Sequence, residues 1–319
     1  MNALSWLVFL PLQLLWVPNQ TMASLWVAYK QLLVSRRLGV SQTAIEVFNG
    51  RWTMAMFDMR DDPATLILGS VLPNTSVRGL FVALFPFWAK WKVSGEHLFP
   101  RIPKPGKESI ADLVTARTLY FDQIIDRTLP EVEQFVMLGA GYDTRAYRAL
   151  HGAKVFEVDQ PVVQQHKRQC LKAAGIRHDH VTFVSLDFSR DTLLAKLRDA
   201  GFDASLPTLF LWEGVTLYLH ETAVRDTMRE LRTQCAPGSV LLADFYGDRF
   251  MQRAQSAAAS KLLELTAETV HFGFSFCQDW AAELDTFVAS ERYTLGDTHF
   301  MGSNHKRGPY MVVAELRMG

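Results

Sequence analysis

The stretch Phe135–Arg148 reads FVMLGAGYDTRAYR. Phe135, Val136, Met137 and Leu138 form an unbroken apolar run, the pattern of a strand buried on both faces of a parallel sheet. Gly139-Ala140-Gly141 ends that run, and a helix-compatible stretch follows. Glycine lets the backbone turn tightly and lets a ligand approach without a Cβ in the way. The next strand-like segment, Lys154–Asp159 (KVFEVD), ends in an acid twenty positions after Gly139. From that place a carboxylate accepts hydrogen bonds from a ribose diol. The pattern therefore predicts a nucleoside site, with Gly139 and Gly141 as the close-approach positions and Asp159 as the ribose acceptor. Glu157, two positions earlier on the same strand face, is the competing acid.

A dinucleotide fingerprint has a third glycine, which seats the pyrophosphate and lets helix and strand pack closely. That position is Thr144 here, preceded by Asp143. A nicotinamide cofactor, and with it an oxidoreductase, is thereby disfavoured. A cationic nucleoside such as S-adenosylmethionine needs no pyrophosphate seat.

GAGYDTRAYR, then FEVDQP, then LDF at Leu186–Phe188, then WEGVTLYL at Trp212–Leu219, resemble the leucine carboxyl methyltransferase family. These are class I S-adenosylmethionine-dependent enzymes, with bacterial relatives that are mostly O-methyltransferases. The resemblance covers roughly residues 110 to 250 and is loose over the first hundred. It implies an α/β, Rossmann-like class I methyltransferase fold with a seven-stranded, mostly parallel sheet and S-adenosylmethionine as cofactor. It also implies a role for Arg117. An Arg-Thr pair before the glycine strand resembles the family's arginine that meets the methionine carboxylate, and a guanidinium suits a carboxylate through two parallel bonds. The family's carboxylate-clamping arginine would follow Asp187-Phe188; here Ser189 follows, and then Arg190. That departure weakens the case for a protein C-terminal leucine as acceptor.

About half of the 319 residues are apolar, enough for a sizeable core without staples. Formal net charge is zero and the pI about 7.1, which speaks against a nucleic-acid partner. Cys170, Cys235 and Cys277 are odd in number and far apart, so a cytoplasmic, reducing compartment is expected. Charge is unevenly placed: residues 1–110 carry eleven Lys/Arg against six Asp/Glu.

Strands are predicted at 134–139, 154–159, 181–186, 207–213 and 239–245, with helices beginning near Asp143, Pro161, Arg190 and Glu221. This alternation specifies right-handed crossovers and a parallel sheet. A helix near Asp279–Ala289 and strands at Arg292–His299 and Tyr310–Arg317 would close it, the last strand antiparallel as in class I methyltransferases. Gln252–Val270 is Ala/Leu-rich and reads as a helical insertion near the substrate. Pro100–Gly106, PRIPKPG, is the clear linker. It divides an N-terminal helical region, 1–106, from a cofactor-binding domain, 107–319.

The first charged side chain is Lys30. Before it come Leu4–Val17 and Met22–Tyr29, separated by Pro18-Asn19-Gln20, with Trp6, Trp16 and Trp26 spread among them. A spanning helix needs about 20 apolar residues, and no basic residue precedes the run as in a signal peptide. A second apolar stretch, Leu80–Ala89, is flanked by Arg78 and by Lys90 and Lys92. Peripheral membrane contact through 1–34 and 80–92 is one expectation. A lid over an apolar substrate, or a dimer contact, is the other.

In an open parallel sheet the ligand sits beyond the carboxyl ends of the strands. Asp187 there can accept from an adenine amino group, and Phe188 can cover the ring. Glu213 follows an apolar strand, where a carboxylate is costly without a partner, and the cofactor's ammonium group is a natural one. Asp143 and Arg145 can pair with each other. Tyr218 is the best candidate to face the acceptor, with His220, His271 and His299 as possible bases. These residues predict methyl transfer to an oxygen, carboxylate or hydroxyl, of a small or lipid-like acceptor. The alternative is a membrane-associated binding protein that keeps the fold without the activity.

Overall fold

The computed structural model describes residues 3–187, 191–256, 261, 264, 268–276 and 279–319. Phe188, Ser189, Arg190, Cys277 and much of the 252–270 stretch lie outside the described residues.

The helices are α1 Ala3–Tyr29, α2 Ser35–Leu38, α3 Gln42–Met56, α4 Pro63–Gly69, α5 Val77–Ser94, α6 Leu113–Thr128, α7 Pro161–Ala173, α8 Leu193–Asp199, α9 Glu221–Gln234, α10 Asp248–Ala254 and α11 Trp280–Ser290. The strands are β1 Gln134–Leu138, β2 Lys154–Asp159, β3 Val181–Ser185, β4 Thr208–Trp212, β5 Val240–Tyr246, β6 Thr294–Met301 and β7 Met311–Arg317. They form a seven-stranded sheet in the order β3-β2-β1-β4-β5-β7-β6. The first five strands run parallel, and β7 is antiparallel to both β5 and β6. The strand order reverses between β1 and β4, so the crevice at their carboxyl ends is the topological switch point where such sheets bind ligands.

Every residue of β1, β4 and β5 is buried, as their continuous apolar runs require. Alternate residues serve opposite layers. Val136, Leu138, Phe210 and Trp212 pack with Val224, Met228 and Leu231 of α9. Phe135, Met137, Leu209 and Leu211 pack with Phe121, Ile124 and Ile125 of α6.

Two features depart from the sequence reading. The helix expected from Asp143 is a single 3-10 turn, Arg145–Tyr147. Asp143 Oδ1 accepts from the Arg145 amide at 2.8 Å, which favours a tight turn over helix propagation. In place of a crossover helix, Phe48 and Trp52 of α3 and Leu68 of α4 cluster with Tyr142, Cys170 and Leu171. The N-terminal helices therefore reach the glycine loop directly. Second, α1 runs unbroken through Pro11 and Pro18. Docking on α5 offsets the cost of the prolines: Trp16 Nε1 donates to Val82 O and Gln20 Nε2 to Ala83 O, both at 2.8 Å. Phe9 meets Phe87 and Trp16 meets Phe85, so the two helices form an antiparallel hairpin.

Candidate active site

β1 delivers the chain into Gly139 and Gly141, at φ +73° and +47°. A Cβ on Gly139 would lie 2.4 Å from Val215 Cγ2, and one on Gly141 would lie 3.4 Å from Ala44 Cβ of α3. Gly139→Ala thus combines a clash with a left-handed backbone. It is expected to destabilise the fold by about 1–3 kcal/mol. Adding Val215→Ala should restore the steric part and leave the backbone part, which urea unfolding of the single and double variants would resolve. An unchanged midpoint in Gly139→Ala would refute the close packing of this loop.

Asp159 ends β2 beside that loop, partly buried. Its Oδ2 accepts from the Gly141 amide at 2.6 Å and its Oδ1 from the Gln160 amide at 2.7 Å. Burial pushes its carboxyl above the usual range, against those two backbone bonds. Glu157, the competing acid, is sealed away. Its carboxylate accepts from Lys167 Nζ at 2.7 Å and from Tyr147 OH at 2.9 Å, and the residue is 1% exposed. With both oxygens engaged inside the protein, Glu157 has no route to a ribose. Asp187 lies just past β3, partly buried, with its backbone tied to Asp191.

The expected pairing of Asp143 with Arg145 belongs to a larger buried network. Glu213, just past β4, receives Arg51 Nη2 on both oxygens at 2.7 Å and Arg145 Nη1 at 2.7 Å. Arg117 Nε lies 3.1 Å from the same carboxylate. Asp143 takes Arg51 at 2.8 Å and Arg145 at 2.6 Å. Asp122 takes Arg145 and Arg60, each at 2.6 Å. Arg60 also pairs with Asp62, which caps α4 through the Thr65 amide. Arg117 reaches back to Asp244 of β5 at 3.0 Å and to Tyr246 OH at 2.7 Å. Burial alone would raise the carboxyls of Glu213, Asp143 and Asp122, but the arginines outweigh it and hold all three below the ordinary range. Asp244 is the exception: burial pushes it up to about 6 despite Arg117. The expectation that Glu213 awaits an ammonium group is therefore corrected, since three arginines already meet it.

Tyr218 stands in a one-turn 3-10 helix after Glu213, and its hydroxyl donates to Thr43 Oγ1 at 3.0 Å. Thr43 and Ser41 in turn donate to one oxygen of Glu268, at 2.6 and 2.5 Å. Burial first, then Glu268, pushes the Tyr218 hydroxyl upward, so it is a donor and not a base at neutral pH. His220 and His271 lie beside each other, ring centroids 4.2 Å apart, whereas His299 stacks on Tyr120 of α6.

Arg51, Arg60, Asp62 and Asp244 were not singled out in the sequence. A signal existed for Arg51: it shares the inward face of α3 with Phe48 and Ala55, where a charge needs a buried partner.

The switch-point crevice, the glycine loop and the strand order define a class I methyltransferase fold. Residues 87–232 match the family described as leucine carboxyl methyltransferase. Among curated proteins, one from Mycolicibacterium paratuberculosis is 36% identical over 155 residues, which are 47% of this chain and 48% of that one. One from Mycobacteroides abscessus is 42% identical over 139 residues, 42% and 45% of the two chains. One from Mycolicibacterium smegmatis is 33% identical over 192 residues, 59% and 60%. All three are named, provisionally, S-adenosyl-L-methionine-dependent methyltransferases. The chain spans about half the length of the curated relatives it matches. A crystal structure of a provisionally named methyltransferase from Thermobifida fusca superposes with TM-score 0.50 at 15% identity, covering 82% of this chain and 93% of that one. This likeness supports the fold.

Proposed function

We propose that the chain is an S-adenosylmethionine-dependent methyltransferase that methylates an oxygen of a small or lipophilic acceptor. The observation that carries this reading is the donor set around the glycine loop. Asp159 stands at the tip of β2 for the ribose diol. Arg117 Nε is buried without a hydrogen-bond partner, although Glu213 is close. A carboxylate group entering beside Glu213 would give that nitrogen an acceptor. The network sets five acids (Asp62, Asp122, Asp143, Glu213, Asp244) against four buried arginines (51, 60, 117, 145), with Arg148 at its edge 3.7 Å from Asp122. The residues fit the cofactor.

When bound, S-adenosylmethionine supplies a methyl group on a sulfonium, open to in-line attack. The protein's part is alignment and exclusion of water. Asp159 and Arg117 would hold the ribose and the methionine carboxylate of the cofactor, and Asp187 would accept from its adenine amino group. Tyr218, kept protonated by burial and donating its proton to Thr43, would accept a hydrogen bond from the acceptor's hydroxyl. Thr43 and Glu268 provide a path for a hydroxyl proton: Glu268 accepts it through Thr43 once the oxygen attacks. The arginines near Glu213 are engaged by acids, which favours a hydroxyl over a carboxylate acceptor.

Calorimetry with S-adenosylhomocysteine and with NADH tests the cofactor, and release of label from methyl-labelled S-adenosylmethionine on incubation with cell extract tests the reaction. Binding of the first ligand, none of the second, and labelled product are expected. NADH binding in place of S-adenosylhomocysteine would overturn the reading. Binding without any methyl transfer would leave the fold-without-activity alternative.

A further inference from the structure

The α1–α5 hairpin has an outer face that no part of the described chain covers. On α1, Leu7, Leu14, Leu15 and Met22 are 70%, 75%, 78% and 69% exposed, and Leu25 and Trp26 continue the stripe. These positions fall on one side of the helix, opposite Phe9, Ala23 and Val27, which are buried against α5. Scattered exposed leucines are ordinary, but a contiguous stripe over the length of a 27-residue helix is not. Among the described residues no helix is long and apolar enough to cross a membrane.

The charges carried by the hairpin itself have one sign, with Asp58 and Glu96 beside it, 3.6 Å from Lys92 and 3.8 Å from Lys90. Residues 1–45 and 63–95, which contain the whole hairpin, hold Lys30, Arg36, Arg37, Arg78, Lys90 and Lys92 and no Asp or Glu. Because the hairpin is antiparallel, Arg36, Arg37 and Arg78 gather at one end and Lys92 at the other; all four are exposed. Each end also pairs a cation with tryptophan: Lys30 lies 5.6 Å over Trp26, and Lys92 lies 4.0 Å over Trp91. Tryptophan and lysine flanking an apolar band is the arrangement that suits a membrane–water interface.

We propose that this face docks on an anionic lipid surface, with α1 lying in the interface plane. A second copy of the chain fits less well. Pairing like with like across a two-fold axis would set cations against cations, and the nearby acids Asp58 and Glu96 are already engaged by Lys92 and Lys90. An anionic bilayer meets the stripe with apolar tails and the ends with phosphates. The inference rests on the hairpin alone and is independent of the reaction proposed above.

Flotation of the full chain tests it, using phosphatidylcholine vesicles with and without phosphatidylglycerol at low salt. The wild type is expected to float with the anionic vesicles. The double variant Leu14→Glu/Leu15→Glu should lose partitioning on the order of a hundredfold, with an unchanged thermal midpoint because both side chains are exposed. Arg36→Glu/Arg37→Glu should lose about tenfold or more with anionic vesicles and little with neutral ones. Wild-type protein that stays in the soluble fraction with anionic vesicles overturns the proposal. So does a Leu14→Glu/Leu15→Glu variant that floats like wild type. A wild-type dimer in sedimentation that the same variant disperses, with no flotation, assigns the face to a second copy and equally overturns it.

Discussion

Asp159→Ala is expected to weaken S-adenosylhomocysteine binding by roughly 30- to 1,000-fold, the loss of two charge-assisted hydrogen bonds to a ribose. The geometry adds a second contribution. Asp159 also accepts from the Gly141 and Gln160 amides, so its removal releases two backbone donors and loosens the loop that the cofactor must meet. Asp159→Asn separates the two effects: it preserves the shape and one acceptor but not the charge, and should fall between alanine and wild type. Titration calorimetry reads both. An alanine variant within about threefold of wild type would remove the ribose role from Asp159; with Glu157 locked to Lys167 and Tyr147, no other acid on β2 could inherit it.

Arg145→Ala is expected to cost about 3–5 kcal/mol of folding stability, the range for breaking a buried ion pair from one side. Arg145 is 0% exposed and touches Asp122, Asp143 and Glu213. Deleting it leaves three buried carboxylates short of a partner. The deficit should depend on pH. In the wild type these three carboxyls lie below their ordinary values, so their contribution is present above about pH 4 and is lost as pH falls toward their folded pKa values. In the variant they rise, and protonation relieves them sooner. The gap between variant and wild type should therefore narrow as pH drops from 7 toward 4. Urea unfolding at several pH values measures this, and a pH-independent deficit below about 1 kcal/mol would show that the network is redundant around Arg145.

The sheet was legible because its signals are local. The apolar runs at 135–138 and 209–212 allow little but strands buried on both faces, and the helix expected near Asp279–Ala289 is α11 Trp280–Ser290. The position of Asp159 at the tip of β2 was legible for the same reason, being fixed by the spacing of one βαβ-like unit. The first connection was misread because Asp143-Thr144-Arg145 has helix-compatible residues, whereas ion pairs with distant partners hold it in a tight turn. Glu213 was recognised as a carboxylate in need of a partner, but not which one. Its partner Arg51 sits 162 positions earlier, and no periodicity connects two residues that far apart. The same holds for Arg117 and Asp244.

That separation has a consequence for how the protein is made. Arg51 leaves the ribosome long before Glu213, by about 8 to 30 seconds at typical synthesis rates of roughly 5–20 residues per second. Until Asp143 emerges α3 has an arginine on its inward face with no acid partner of the network in place, and Glu213 is missing throughout the interval. An apolar helix cannot bury such a charge alone, so the early helices stay loosely held until β4 arrives. The nascent N-terminal half thus exposes greasy surface for most of translation. A chaperone, or the lipid surface proposed for α1, has that window in which to engage it.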